Sequence, residues 1–187
     1  MSSLDEKVDI YEAMREFEKR FRMPTLEDRA FLLERGFTED LQGLWLLEDP
    51  IYGELRYHAG RANGGFMWHR EMPGHGYLEY HFPFHGSIEL TYERVRNGIL
   101  RVLDPGYAPL PEELEELKRD GYGDDPQLTT WLSFRNEASG DKCLFDDGWG
   151  YSRTSFIFAN VRYATLADAK LGHRQEMSLV SYSAELK

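Results

Sequence analysis

Beyond Leu41 the hydrophobic residues of this chain change their rhythm from every third or fourth position to every second, and no other feature limits the fold so tightly. Alternation of this kind marks a strand with one face buried. Short β-branched and aromatic runs, punctuated by Gly, Pro and Asn, predict about ten strands, near 43–48, 53–59, 66–71, 76–82, 87–96, 99–103, 129–136, 142–146, 154–164 and 176–186. Asn97-Gly98 and Asp147-Gly148 have the form of two-residue type I′ hairpin turns. So many short hairpins leave exposed sheet edges unless the sheet closes on itself. The expectation is a mainly β fold, an antiparallel β-barrel over 41–187 within a single domain spanning 1–187, a length that suits one core. No internal repeat is legible.

Ahead of the strands, Ser3 and Glu6 have the spacing of a capping box, and Leu4, Val8, Tyr11, Met14, Phe17 and Phe21 recur at helical intervals. A helix over 4–22 is predicted, stopped by Pro24. Thr25 with Asp28 opens a second, shorter helix that Gly36 closes. These two N-terminal helices, residues 1–40, form a lead-in or a lid over the barrel. The insertion at 104–128 carries "PEELEELKR", with Pro111 at its first turn, acidic residues at its start and Lys118 and Arg119 at its end, the charge order a short surface helix prefers. It lies over the barrel mouth or forms an acidic solvated loop.

With 22 Lys and Arg against 33 Asp and Glu, the chain carries a formal charge of −11, which repels phosphate backbones and anionic membranes. Nucleic acid and membrane are therefore excluded as expected partners. The single cysteine, Cys143, cannot form an intrachain disulfide or a thiolate zinc site, and points to a reducing, cytoplasmic compartment. The first 20 residues lack the basic-then-apolar order of a signal peptide, and no run has the apolar length of a membrane span.

"HGYLEYHFPFHG", His75 to Gly86, crowds three histidines and a glutamate among aromatic rings. Pairing 66–71 with 77–82 so that His69 faces Glu79 sets Phe66 against Phe82 and Trp68 against Tyr80 on one face, with Met67 against His81 on the other. Extending the register places Ile88, Leu90 and Tyr92 on the aromatic face and sets His81 against Glu89. A shared metal ion needs its ligands around one point, and His75 and His81 lie about 20 Å apart on an extended strand. Pro83 and Gly86 oppose a helix that would bring His81 and His85 together. Only His69, Glu79 and His81, with Glu89, remain as a minor metal alternative, and the cupin pattern of His-x-His followed by Glu is missing. Hydrogen-bonded His and Glu pairs turned to water are the simpler reading, and no cofactor is expected.

The aromatic face then lines the interior, with Phe66, Trp68, Leu78, Phe82 and Leu90 as ligand-binding residues and Tyr80, Tyr92 and Arg94 as catalytic candidates. The Asn97-Gly98 turn would pair Arg94 with Arg101 in the same inward row. Two guanidinium groups beside an apolar cavity are costly without an anion, which a ligand carboxylate, enolate or phenolate would supply. Gly43-Leu44-Trp45 resembles the Gly-x-Trp that opens many lipocalin-like barrels; over those three residues, the resemblance implies an antiparallel calycin-type barrel holding a small apolar ligand. Nucleophile-elbow, phosphate-loop, dinucleotide and HExxH motifs are missing. The expected function is a cytosolic, cofactor-free enzyme, a cyclase, isomerase or lyase acting on a small apolar or aromatic metabolite. A non-catalytic carrier, a structural or interaction protein with a solid core or a homodimer interface, and a cupin-like metal enzyme are the alternatives.

Overall fold

The computed structural model describes residues 24–50, 52–58, 64–72, 76–124, 132–146 and 155–185. Within them the order is α1 (Leu26–Glu34), β1 (Thr38–Glu39), β2 (Trp45–Asp49), β3 (Gly53–His58), β4 (Gly65–Met72), β5 (Gly76–Pro83), α2 (Ile88–Leu103), α3 (Pro111–Arg119), β6 (Tyr122–Asp124), β7 (Leu132–Asn136), β8 (Lys142–Asp146), β9 (Ser155–Phe158), β10 (Val161–Tyr163) and α4 (Leu166–Glu185). The fold is mixed helix and sheet. The expected helix at 4–22 and the Asp147-Gly148 turn lie outside the described residues.

All ten strands join one sheet in the order β1-β2-β3-β4-β5-β10-β9-β8-β7-β6. Among the described residues β1 and β6 do not pair, so the sheet is open and the expected barrel is replaced by a strip with two free edges. Every pairing is antiparallel except β5 with β10, which run parallel with Arg162 beside Tyr80. The β4–β5 register is the one the sequence predicts, with Phe66 opposite Phe82, Trp68 opposite Tyr80, Met67 opposite His81 and His69 opposite Glu79.

The parallel seam changes which side of the sheet is buried. In the first five strands Trp45, Leu55, Tyr57, Phe66, Trp68, Tyr80 and Phe82 are buried, and the pairings put them on one face. In the last five the buried row is Phe134, Cys143, Phe145, Phe156, Phe158 and Tyr163. Because Arg162 sits beside Tyr80, Tyr163 comes beside His81, and their rings lie 5.8 Å apart. The second row thus occupies the face opposite the first.

Each half curls around its own helix. Phe37 reaches Phe66 with ring centroids 5.9 Å apart, and Tyr122 reaches Phe158 at 6.1 Å. In both cases three strand spacings intervene, roughly 14 Å on a flat sheet. The halves also match residue by residue. Both α1 and α3 have nine residues, Asp28 and Glu113 reach back to the N-cap backbone N–H, and Leu32 and Leu117 are fully buried. Gly36 and Gly121 then reverse the chain at φ +85° and +86°, in the left-handed region glycine tolerates. A helix, a five-strand meander and a closing helix therefore occur twice, a repeat invisible in the sequence because roles recur with few identical residues.

Two further expectations are corrected. The segment 87–103, read as two strands around an Asn-Gly turn, is the single helix α2. Ser87 caps it by accepting a hydrogen bond from Leu90 N, and its buried residues, Ile88, Thr91, Val95, Gly98, Ile99 and Val102, follow a helical period. Gly98 marks close packing and no turn: a Cβ there would sit 3.0 Å from Ala164 Cβ and closer still to the Phe82 ring. The segment 176–186, read as a strand, belongs to α4 as far as Glu185. Conversely, within the single strand expected at 154–164, residues 155–163 form a hairpin of two strands, turned by Ala159 and Asn160 at φ 47° and 64°. The short helix at Pro111–Arg119 forms as predicted. Among the described residues no helix is long and apolar enough to cross a membrane.

Candidate functional site

At the end of β5 the chain leaves the sheet through Phe84 and turns into α2. His85 is fixed on this turn by its backbone N–H, which donates to Thr91 Oγ1 at 2.9 Å, while that hydroxyl donates to Ser87 O at 2.7 Å. From the other half, Thr165 and Asp168 open α4 as a local cap. Asp168 N–H donates to Thr165 Oγ1 at 3.1 Å, and the hydroxyl donates to Asp168 Oδ2 at 2.7 Å. The second carboxylate oxygen, Oδ1, accepts from His85 Nε2 at 2.8 Å and from Arg94 Nε at 3.2 Å.

These three side chains differ in exposure, and the difference decides their roles. Asp168 is 1% exposed, His85 22% and Arg94 36%. The carboxylate is buried and saturated, whereas the imidazole and guanidinium reach outward. With Nε2–H donating to the carboxylate, the neutral imidazole keeps Nδ1 as its basic atom. Arg94 keeps both terminal Nη groups without another partner among the described residues. The pair opens onto a cleft of ≈ 580 Å³ lined by Phe84, His85, Gly86, Leu90, Glu93, Arg94, Asn97 and Leu171. Leu90, Glu93, Arg94 and Asn97 share one face of α2 through their i, i+3, i+4, i+7 spacing.

Helical geometry redistributes the candidates taken from the sequence. Leu90 and Arg94, four apart, meet in the cleft, but Tyr92 points to the opposite side. There it contacts Phe31, Phe37 and Phe66, with the Arg35 guanidinium 5.5 Å from its ring, and burial raises its phenol pKa. Phe66, Trp68, Tyr80 and Phe82 are fully buried, the Trp68 and Tyr80 rings 5.2 Å apart, and Leu78 packs at the margin of this cluster. Trp68 Nε1 donates to Tyr52 O. Both arginines find their anion within the chain, Arg94 in Asp168 and Arg101 in Glu113, whose Oε1 lies 2.7 Å from Arg101 Nη1. Arg101 also packs over the Tyr107 ring and does not line Arg94's cleft.

The His69, Glu79 and His81 cluster does not converge. His69 Nε2 lies 3.5 Å from Glu79 Oε2, and burial lowers the His69 pKa although Glu79 opposes it. His81, expected to face water, is covered instead, and burial pushes its pKa down to about 4 against the pull of Asp168. Glu89 is exposed in the first turn of α2. Among the described residues no group of three His, Cys, Asp or Glu is placed to hold a metal ion.

Sequence reasoning missed both partners of the central pair. In the sequence His85 bears only on the metal question, and Asp168 falls between expected strands. The available signal was Thr165-Leu166-Ala167-Asp168, a capping spacing that announces α4 and places a carboxylate at its first turn. No protein-family model, no curated protein and no solved structure matches the chain.

Proposed function

We propose that the protein binds a small, largely apolar metabolite in the cleft beside His85 and acts on it without a cofactor, as an isomerase, cyclase or lyase. The observation carrying this reading is the pairing of a buried, fully engaged Asp168 with a His85 that opens onto a cleft. In this scheme His85 Nδ1 takes a proton from the ligand, and Asp168 steadies the imidazolium so formed. The proton then returns at another ligand atom, or departs with a leaving group. A positioned base of this kind contributes about 10²–10⁴-fold. Phe84, Leu90 and Leu171 would hold the apolar body, and the Arg94 Nη groups would polarise a ligand oxygen. The ligand sits outside the sheet, not within a lipocalin-like barrel.

Mass spectrometry of small molecules that copurify under native conditions tests the reading. Asn97→Trp, which fills the cleft, should abolish the adduct, while His85→Gln should keep it and lose conversion by about 10²-fold or more. An adduct that survives Asn97→Trp overturns the proposal.

A second reading, a structural or interaction protein with a solid core, is favoured by one observation: the aromatic row of β4 and β5 is packed to zero exposure. Under it, no small molecule copurifies with the wild-type chain.

A further inference from the structure

The two charges on the cleft wall differ in their partners. Arg94 is neutralised by Asp168, which is buried and already accepts from Arg94, His85 and Thr165. Glu93, the next residue on the same wall, is exposed and has no ion-pair partner among the described residues. Of the two charged residues lining the cleft, Arg94 is held by Asp168 and Glu93 alone has no ion-pair partner among the described residues. The molecule around it is formally −11, so its long-range field adds to that charge and opposes an anionic ligand.

We infer that the ligand of this cleft is a lipophilic amine, its ammonium group on Glu93 and its apolar body against Leu90, Leu171 and Phe84. This rests on the reading of the cleft as a small-molecule site and names the chemical class that site takes. In the sequence Arg94 and Arg101 have no visible partner, and that points to an anionic ligand. The structure supplies both partners from the chain itself, which leaves a carboxylate as the unmatched group. Leu90, 55% exposed on the same helix face, is the apolar surface such a ligand would cover.

Three probes of one shape and different charge test the inference: 3-phenylpropylamine, 3-phenylpropionate and 3-phenylpropan-1-ol, titrated into the full chain and followed by the His85 imidazole and Leu90 methyl NMR signals. The amine should bind about 2–5-fold more tightly than the alcohol, with the carboxylate weakest, and the advantage should shrink in 0.5 M salt. Glu93→Gln should remove the advantage, and Glu93→Lys should transfer it to the carboxylate. Both changes fall on an exposed helix position and leave the core untouched. Equal binding of amine and alcohol, or an amine preference that persists in Glu93→Gln, overturns the inference and leaves the small-molecule reading standing. If none of the probes moves either signal, both fail.

Discussion

Among single residues, His81 carries the clearest cost of its position. It lies where the buried face changes sides, beside the Tyr163 ring, and its Nε2 has no hydrogen-bond partner among the described residues. The neutral imidazole suits that site and the charged one does not. Its folded pKa of about 4 lies below the ordinary 6.5, so its contribution is intact above about pH 6.5 and fades as pH falls toward 4. The shift corresponds to about 3 kcal/mol in full. Urea denaturation at pH 7.0 and 4.5 should show wild type losing about 2 kcal/mol more than His81→Gln over that interval, and an equal loss in both would refute the assignment. Parity around His81 was legible in the sequence, because Phe66, Trp68, Tyr80 and Phe82 force one register on β4 and β5. That His81 would be buried was not legible, since the covering element, α4, follows far along the chain and reads locally as a strand.

At the level of elements, α2 explains most of what sequence reasoning misplaced. Asn97-Gly98 imitates a hairpin turn, and the β-branched residues around it fit a strand as well as a helix face. Tertiary packing decides: Gly98 is the residue that lets α2 lie on Phe82 and Ala164. Opposite signs follow for adjacent substitutions. Asn97→Ala, on the exposed face, should stabilise the protein by about 0.5 kcal/mol through helix propensity, whereas a hairpin turn would lose stability. Gly98→Ala should destabilise by about 1–3 kcal/mol despite its better propensity, because the added methyl has no room. Thermal unfolding of the two variants reads both signs. The α1 and α3 helices were legible for a simple reason: their caps, prolines and glycines act over a few residues and need no distant partner.

For the whole molecule, the repeat supplies an internal control. Asp28 and Glu113 occupy the same position in the two halves, and each bonds back to its own N-cap. Glu113 also pairs with Arg101 of α2 and accepts from the backbone N–H of Leu166 at the start of α4. One carboxylate thus joins three helices. Glu113→Ala should cost about 2–4 kcal/mol, measured by denaturant midpoint; a loss of only about 1 kcal/mol, that of a helix cap alone, would mean that the link between halves contributes nothing. The face change beyond β5 escaped sequence reasoning because each half, taken alone, alternates as an ordinary one-sided sheet. Only the parallel register of Arg162 with Tyr80 reveals that the sides are exchanged. Cys143 gains a use from this arrangement. Its thiol is fully enclosed in the second row, and burial pushes its pKa up to about 12, so an alkylating reagent finds no thiolate until the strands part. As the sole cysteine, it makes the chain its own clock, whose labelling rate times the opening of the C-terminal half while the N-terminal half stays silent.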